Sequence, residues 1–406
     1  MDSNSRFLLK AFRKYYRDDP IMMPSRFSRR EFGFMFFDRN FVQRHMGFTK
    51  PADINSFMVT QVPSHSYYST AYYRKPDAPT MEEKEWLGAD LIFDLDADHL
   101  VGADKMTYSE MLEQIKKEMI NLVDSFLLGD LGFTDDQVSI VFSGGRGYHA
   151  HIEVGNVLGM GTHERREVVD YVTSNGLNID WVFPYIGYVT STAKVNGVDR
   201  TNVSRIRTIP PADSGGWKLR MRNGLKDVVN DVCDMDPKDI KKKYPSIKSS
   251  ATKSIENYQD DLRKSRTLIF ENNKMSTLGK NTQEFLVKIM AEDVAYRLSG
   301  EVDEPVTADI KRLIRLPGSV HGKSGLRVMP LTRDELTDFD PLMDAVPKQY
   351  SDDEVTITMK RDTDITIKGQ HFKLSGTTKV PEYAAVFLVG RKMADIGDGT
   401  VKETLF

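Results

Sequence analysis

The residues best equipped for chemistry gather in three short stretches. The first runs from Gly88 to His99, an apolar segment that ends in Asp94-x-Asp96-x-Asp98. Successive side chains of a strand point to opposite faces, so Leu91, Phe93 and Leu95 can face a core while Asp94 and Asp96 share the other side. Two carboxylates held side by side repel unless a cation lies between them. A hard divalent ion is the usual partner, because oxygen donors are its preferred ligands. An EF-hand calcium loop is excluded, since it needs glycine at position six and glutamate at position twelve, where this chain has His99 and Lys105. A polar strand end with two solvated aspartates remains the plain alternative.

The second stretch is Val138 to Val154. Gly145-x-Gly147-x-x-Ala150, with Asp170 downstream, has the outline of a dinucleotide fingerprint. That fingerprint requires a helix after the glycines. Here Tyr148, Ala150, Ile152 and Val154 alternate with His149, His151 and Glu153, which predicts a hairpin. There is no Gly-Lys-Ser/Thr ending for a phosphate-binding P-loop either. A glycine-rich turn presenting Arg146 and His149 beside backbone N–H groups nonetheless suits a polyphosphate. The plainer reading is a tight hairpin with an exposed arginine. The third stretch is Val302 to Val328, with carboxylates at Asp303 and Asp309. Ile310, Leu313 and Ile314 form the expected buried side of a short helix ended by Pro317, and Lys311, Arg312 and Arg315 take other faces. Ser319, His321 and Lys323 then alternate through a turn. Together the stretches supply carboxylates for cations and basic groups for a triphosphate, the combination that two-metal phosphoryl transfer requires.

Around them, periodicity predicts an amphipathic helix over 6–17, strands over 31–37 and 57–73, a helix over 106–128 and a strand-turn-strand over 137–154. A helical texture runs from about Lys218 to Gly300 and includes Lys241-Lys242-Lys243, most simply a solvated surface. Alternation over 355–374 predicts a β-hairpin, and 381–396 a final helix. At 406 residues, 40% hydrophobic and 28% charged, the composition is that of an ordinary soluble protein of more than one domain. No apolar run reaches membrane-spanning length, and the N-terminus lacks the layout of a secretory signal. The single cysteine, Cys233, excludes an internal disulfide or a multi-cysteine metal site. A net charge of −3 gives no global nucleic-acid signature, though a local basic groove suffices for backbone contacts.

The three stretches together resemble the small, catalytic subunit of the archaeal and eukaryotic type of DNA primase, most closely its archaeal members. The family's Asp-x-Asp pair is matched by Asp94 and Asp96. Its Ser-Gly-x-Arg-Gly-x-His hairpin is matched by Ser143, Gly144, Arg146, Gly147 and His149. Its later aspartate, basic residue and Ser-x-His-x-Lys-x-Gly turn are matched by Asp303, Arg315, Ser319, His321, Lys323 and Gly325. Similarity also appears around Arg29–Phe37, Tyr67–Tyr73 and Val380–Tyr383, and so spans most of the chain.

The resemblance implies an α+β fold: a primase-type core whose mainly antiparallel sheet carries all three motifs. The core would occupy 1–217 and 301–350, with a helical insertion over 218–300 and a small C-terminal β-hairpin and helix extension over 351–406. It implies primer synthesis on single-stranded DNA from NTPs, with dNTPs open, by a metal-dependent nucleotidyltransferase. Asp94, Asp96 and Asp303 would be the catalytic ligands of two Mg²⁺ or Mn²⁺ ions. Chemistry alone does not separate Asp303 from Asp309, and Asp98 falls outside the family's metal set. Ser143, Arg146, His149, Arg315 and His321 would grip the nucleotide, Lys323 more peripherally, with Arg44 a weaker candidate. Many relatives hold zinc through cysteines, but Cys233 alone cannot form a cysteine-rich zinc site. The implied partners are a large primase subunit bearing an iron–sulfur cluster and the template strand, in a cytoplasmic, nucleoid-associated setting with no membrane. A related polymerase of repair or translesion synthesis and a non-catalytic single-strand-binding subunit are the alternatives; a metal-dependent nuclease would have no use for so many triphosphate-compatible donors.

Overall fold

Asp94 and Asp96 lie on a strand, Leu91–Asp96, and the two glycine-flanked segments of the second stretch form a hairpin, Val138–Phe142 with Gly147–Ile152. These features come from a computed structural model that describes residues 1–100, 102–195 and 198–397. The chain divides into two units: Met1–Leu128, Gly132–Val169 and Glu301–Phe406 form one, and Gly129–Leu131 with Asp170–Gly300 the other. Helices and sheets are mixed, and every strand pairing among the described residues is antiparallel, an α+β fold.

The first unit holds two four-stranded sheets. One orders Met329–Leu331, Val138–Phe142, Gly147–Ile152 and Leu91–Asp96. Its register sets Leu91, Phe93 and Leu95 opposite Ile152, Ala150 and Tyr148, a continuous apolar face. The helix Tyr108–Asn121 lies against these strands and buries Leu112, Ile115 and Met119. Its start is fixed by a capping box in which Thr107 and Glu110 satisfy each other's backbone N–H groups. The opposite face carries Asp94, Asp96, His149 and His151.

The second sheet orders Leu313–Arg315, His65–Ser69, Phe32–Met35 and Gln43–Met46. It packs on the polar face of the first, where the Tyr68 hydroxyl lies 3.3 Å from Nδ1 of His151. This covering explains why both sides of the histidine strand are buried. Arg30 ties the layers together: its fully buried guanidinium donates to the carbonyls of Ser69 and Thr70 and to Asp90, just before the aspartate strand. Arg165 donates to the carbonyls of Ala89 and Asp90 from another side.

Five local expectations change. The motifs occupy two sheets rather than one, because Leu313–Arg315 pairs with Tyr67–Ser69. That pairing also overrides the helix expected over 310–314; the helix of this stretch is Glu304–Ala308, with Pro305 in its first turn. Phe57 belongs to a helix, Pro51–Gln61, rather than to a strand. At the C-terminus four strands replace the single hairpin, since Thr363–Ile367 and Gln370–Leu374 form a hairpin inserted between the paired strands Glu354–Met359 and Thr377–Pro381. The final helix stops at Gly390, and Ala394–Ile396 returns as a strand against Ile357–Met359. Helix Glu382–Gly390 is buried along Tyr383–Gly390, as its uniformly apolar sequence demands.

The second unit contains the ribbon Tyr185–Val195 with Val198–Arg207, and the helices Gly216–Asp234, Thr252–Ser265 and Lys280–Ile289. Cys233 is a buried free thiol. In the lysine run, Lys242 and Lys243 pair with Asp239 and Asp231 at 2.9 and 2.6 Å.

Gly147 sits where the two motif-bearing strands come closest: a Cβ there would lie 2.2 Å from the Leu95 carbonyl oxygen and 3.1 Å from Cα of Asp96. Gly147→Ala is expected to destabilise the protein by roughly 1–3 kcal/mol, the range for forced overpacking, as measured by urea unfolding. A change below about 0.5 kcal/mol would place it among ordinary surface substitutions and contradict the close approach.

Candidate active site

The polar face of the aspartate strand opens into a cavity of ≈380 Å³ within the first unit. Asp94, Asp96 and Asp98 line it together with Ser143, Arg146, His149, Arg315, His321 and Lys323. Tyr67, Arg312 and Arg391 complete its polar lining. Five arginine and lysine side chains thus face three carboxylates, a lining whose charges suit an anion accompanied by a cation.

Strand register builds the carboxylate side. Asp94 stands opposite His149, whose Nε2 is 3.3 Å from the Asp94 carboxylate, and Asp96 stands opposite Gly147. Burial pushes His149 well below the ordinary histidine range, reinforced by His151 and Arg315. The neutral ring can therefore donate from Nε2 and orient Asp94. Asp96 accepts from the N–H of Asp98 at 3.1 Å, which turns the chain beyond the strand. Asp98, expected outside the site, lines the cavity and forms an ion pair with Arg146, whose guanidinium is also 4.0 Å from Asp96.

The glycine turn is organised by Ser143. Its hydroxyl oxygen accepts from the N–H groups of Gly145 and Gly147 at 3.2 and 3.3 Å, and its own N–H donates to the Gly147 carbonyl. Gly144 has φ +74°, and a Cβ there would meet Cβ of His321 at 2.8 Å. A side chain at that position would drive the two turns apart.

Arg315 is held in an unusual way. Its guanidinium donates to Nδ1 of His65 at 2.6 Å and to Nε2 of His321 at 3.0 Å, and lies over the Tyr67 ring at 4.6 Å. Among the described residues no carboxylate lies within ion-pair distance of it. Histidines that accept from an arginine must be neutral at those nitrogens. Burial, followed by the charge of Arg315, pushes His65 down to about 2 and His321 well below its ordinary range. At its other nitrogen, Nδ1 of His321 faces the Lys323 N–H at 3.3 Å and the Ser324 hydroxyl at 3.4 Å, so the ring ties Arg315 to the following turn. Arg315 is positioned without being neutralised.

The fold thus brings Asp94, Asp96, Ser143, Arg146, His149, Arg315, His321 and Lys323 to one cavity. Asp303 is beside it: its N–H donates to the Asp94 carbonyl at 2.9 Å and it stands at the N-cap position of the helix Glu304–Ala308 without a side-chain capping bond, while its side chain is not part of the lining. Asp309 is exposed and accepts from the N–H of Lys311 at 2.9 Å. Arg44 is elsewhere, paired bidentately with the buried Glu31 at 3.0 and 3.1 Å. Arg312, named among the basic groups of the third stretch, joins the lining, while His65, Tyr67 and Arg391 are cavity or supporting residues that sequence reasoning missed. His65 and Tyr67 share a strand face, a signal present in the alternation. Arg391 left no comparable sign.

Two aspartates on one strand do not make a complete protein cage, and among the described residues no three His, Cys, Asp or Glu side chains converge to hold a metal. Mg²⁺ commonly binds through one or two carboxylates plus substrate phosphates. Asp94 and Asp96 beside a cationic wall fit that mode.

The profile of the DNA primase small subunit family matches residues 93–333. The chain is 40% identical to the "DNA primase small subunit PriS" of Methanocella arvoryzae, covering 97% of this chain and 99% of the relative. It is 38% identical to the protein of the same name from Methanococcoides burtonii, over 98% and 100% of the two chains. A third, from Picrophilus torridus, is 37% identical over 95% and 97%. No helix among the described residues is long and apolar enough to cross a membrane.

The neutral buried histidines carry a pH signature. His65 and His321 are joined by His151, which burial pushes down to about 3. Below the ordinary value of 6.5 the unfolded chain takes up protons that the folded state refuses, so stability falls as pH drops from 6.5 toward 3. Each such group contributes up to about 1.4 kcal/mol per pH unit. Urea unfolding at pH 7.5 and 5.5 is expected to show lower stability at 5.5; equal stabilities would mean that the rings are protonated in the fold.

Proposed function

The chain belongs to the DNA primase small-subunit family, and from that premise we propose that its cavity is the nucleotidyl-transfer site of a primer-synthesising enzyme. The observation that carries the proposal is the single lining that joins Asp94 and Asp96 to Arg146, Arg315, His321 and Lys323. Substrates would be nucleoside triphosphates and a single-stranded DNA template. The net charge of −3 is consistent with sharing template binding with a large primase subunit.

Asp94 and Asp96 would hold one or two Mg²⁺ or Mn²⁺ ions, with Asp303 as the proposed third ligand. When bound, such ions supply Lewis-acid stabilisation of the charge that develops in phosphoryl transfer. The protein's own contribution is placement and electrostatics. His149 orients the Asp94 carboxylate. Arg315, held between neutral histidines, keeps its full charge for phosphate oxygens. Arg146 exchanges its Asp98 partner for the triphosphate. Ser143 shapes the turn so that its glycines admit phosphate close to the backbone. The 3′-oxygen of an incoming end would then bond to the α-phosphorus as the α–β phosphoanhydride bond breaks, its proton passing to solvent water in the open cavity and pyrophosphate leaving along the cationic wall.

The test is product formation on unprimed single-stranded DNA, with ribo- and deoxynucleotides compared in each metal. Products made without any primer support initiation; extension only of existing ends would instead support a repair or translesion polymerase. Asp94→Asn with Asp96→Asn is expected to abolish synthesis while thermal unfolding stays close to that of the parent. Synthesis by the folded double variant would remove the carboxylates from the mechanism. Arg146→Met is expected to raise KM for nucleotide tenfold or more, from the roughly 1.5–3 kcal/mol of a hydrogen bond to a charged group. Template affinity should hold, and an unchanged KM would remove Arg146 from nucleotide binding.

A further inference from the structure

We infer that Arg391, contributed by the C-terminal extension, is a further phosphate-binding residue of this site that grips the nucleotide's triphosphate alongside Arg146. The inference rests on the reading of the cavity as a nucleoside triphosphate site. Arg391 follows the helix Glu382–Gly390 and lines the cavity with Arg146, His321 and Lys323. Its guanidinium lies over the Tyr108 ring at 4.6 Å, and its buried Nε has no hydrogen-bond partner. No carboxylate among the described residues lies within ion-pair distance of it. A buried cationic donor without an acceptor is an uncommon arrangement in a folded protein. A cation is favoured at a helix C-terminus, but that preference leaves the buried donor unmatched. A phosphate oxygen in the cavity would match both its charge and its N–H.

The platform that holds Arg391 is fastened to both phosphate-facing turns. The Tyr108 hydroxyl donates to the Gly145 carbonyl in the glycine turn, and its ring packs edge-on against Phe387 at 5.3 Å. On the other side, a Cβ at Gly390 would lie 3.2 Å from the Ser324 nitrogen, and one at Gly325 would lie 2.3 Å from Val386. The helix end is therefore seated on the turn that carries His321 and Lys323. Arg391 is directed by the same contacts that shape the site, whereas a merely solvated arginine would need none of them.

The experiment compares binding of ATP and AMP, each with Mg²⁺, to the full chain and to Arg391→Met and Arg146→Met. Methionine keeps an apolar stem on Tyr108 while removing the charge, and thermal unfolding verifies that each variant is folded. The expected result is about tenfold weaker ATP binding for each variant, with AMP affinity nearly unchanged, and partial recovery in Arg391→Lys. Weakened ATP binding in Arg146→Met with parental binding in Arg391→Met would overturn this inference alone. Equal loss of ATP and AMP binding in Arg391→Met would overturn it as well, by making the residue structural. Parental ATP binding in both variants would overturn the reading of the cavity as a triphosphate site, and this inference with it.

Discussion

The register between the aspartate strand and the histidine strand is the constraint on which the rest depends. It sets Asp94 beside His149 and Asp96 beside Gly147. A slip of one residue would turn every side chain of a strand to its other face. Asp94 and Asp96 would then point into the apolar layer under helix Tyr108–Asn121, where an unpaired carboxylate is strongly disfavoured. The apolar partners of the same strand enforce the correct choice, since Leu91, Phe93 and Leu95 can be buried only in this register. Gly147 lets the strands meet, and the turn it closes carries Arg146. The aspartate pair and the glycine turn with Arg146 are thus placed by one hydrogen-bonded ladder.

The cations are held in two different ways, and the difference has functional weight. Arg315 lies between neutral histidines and over a tyrosine, contacts that fix its direction and leave its charge unspent. A buried carboxylate partner would have quenched it. Arg146 does have a carboxylate partner, but the pair with Asp98 is partly exposed, at 29% and 55% of the side chains. Pairs of that kind contribute about 0–1 kcal/mol, so Arg146 can leave Asp98 at little cost. One arginine is a fixed wall and the other a replaceable contact.

Much of this was legible in the sequence because it depends on short-range pattern. The strand before Asp94, the hairpin around Gly145 and the density of basic groups near Arg315 follow from alternation and turn chemistry. What escaped depends on long-range pairing. Leu313–Arg315 has a helical neighbourhood but becomes a strand because His65–Ser69 offers an open edge. Asp98 looked superfluous until the turn carrying Arg146 was folded over it. Arg44 carries a charge suited to a nucleotide, yet Glu31, buried beside Lys84, takes it through two hydrogen bonds. Arg391 stands in the cavity only because a wholly apolar helix must bury itself against the turn that carries His321 and Lys323.

Chain order sharpens the point about assembly. The carboxylates and the glycine turn precede Asp170–Gly300, the main segment of the second unit, and Arg315, His321 and Arg391 follow it. The first unit is therefore closed across the whole of Asp170–Gly300. Closing a loop costs entropy that grows only with the logarithm of its length, and a segment folded on its own core adds less than a flexible chain would. The second unit can therefore interrupt the site without loosening it, provided that the two halves recognise each other through specific contacts. Those contacts are present: Leu313–Arg315 on the second sheet, Met329–Leu331 on the first, and the Asp303 amide on the Asp94 carbonyl. Each places a functional residue within a few positions of a strand pairing, so completing the fold and completing the site are the same event.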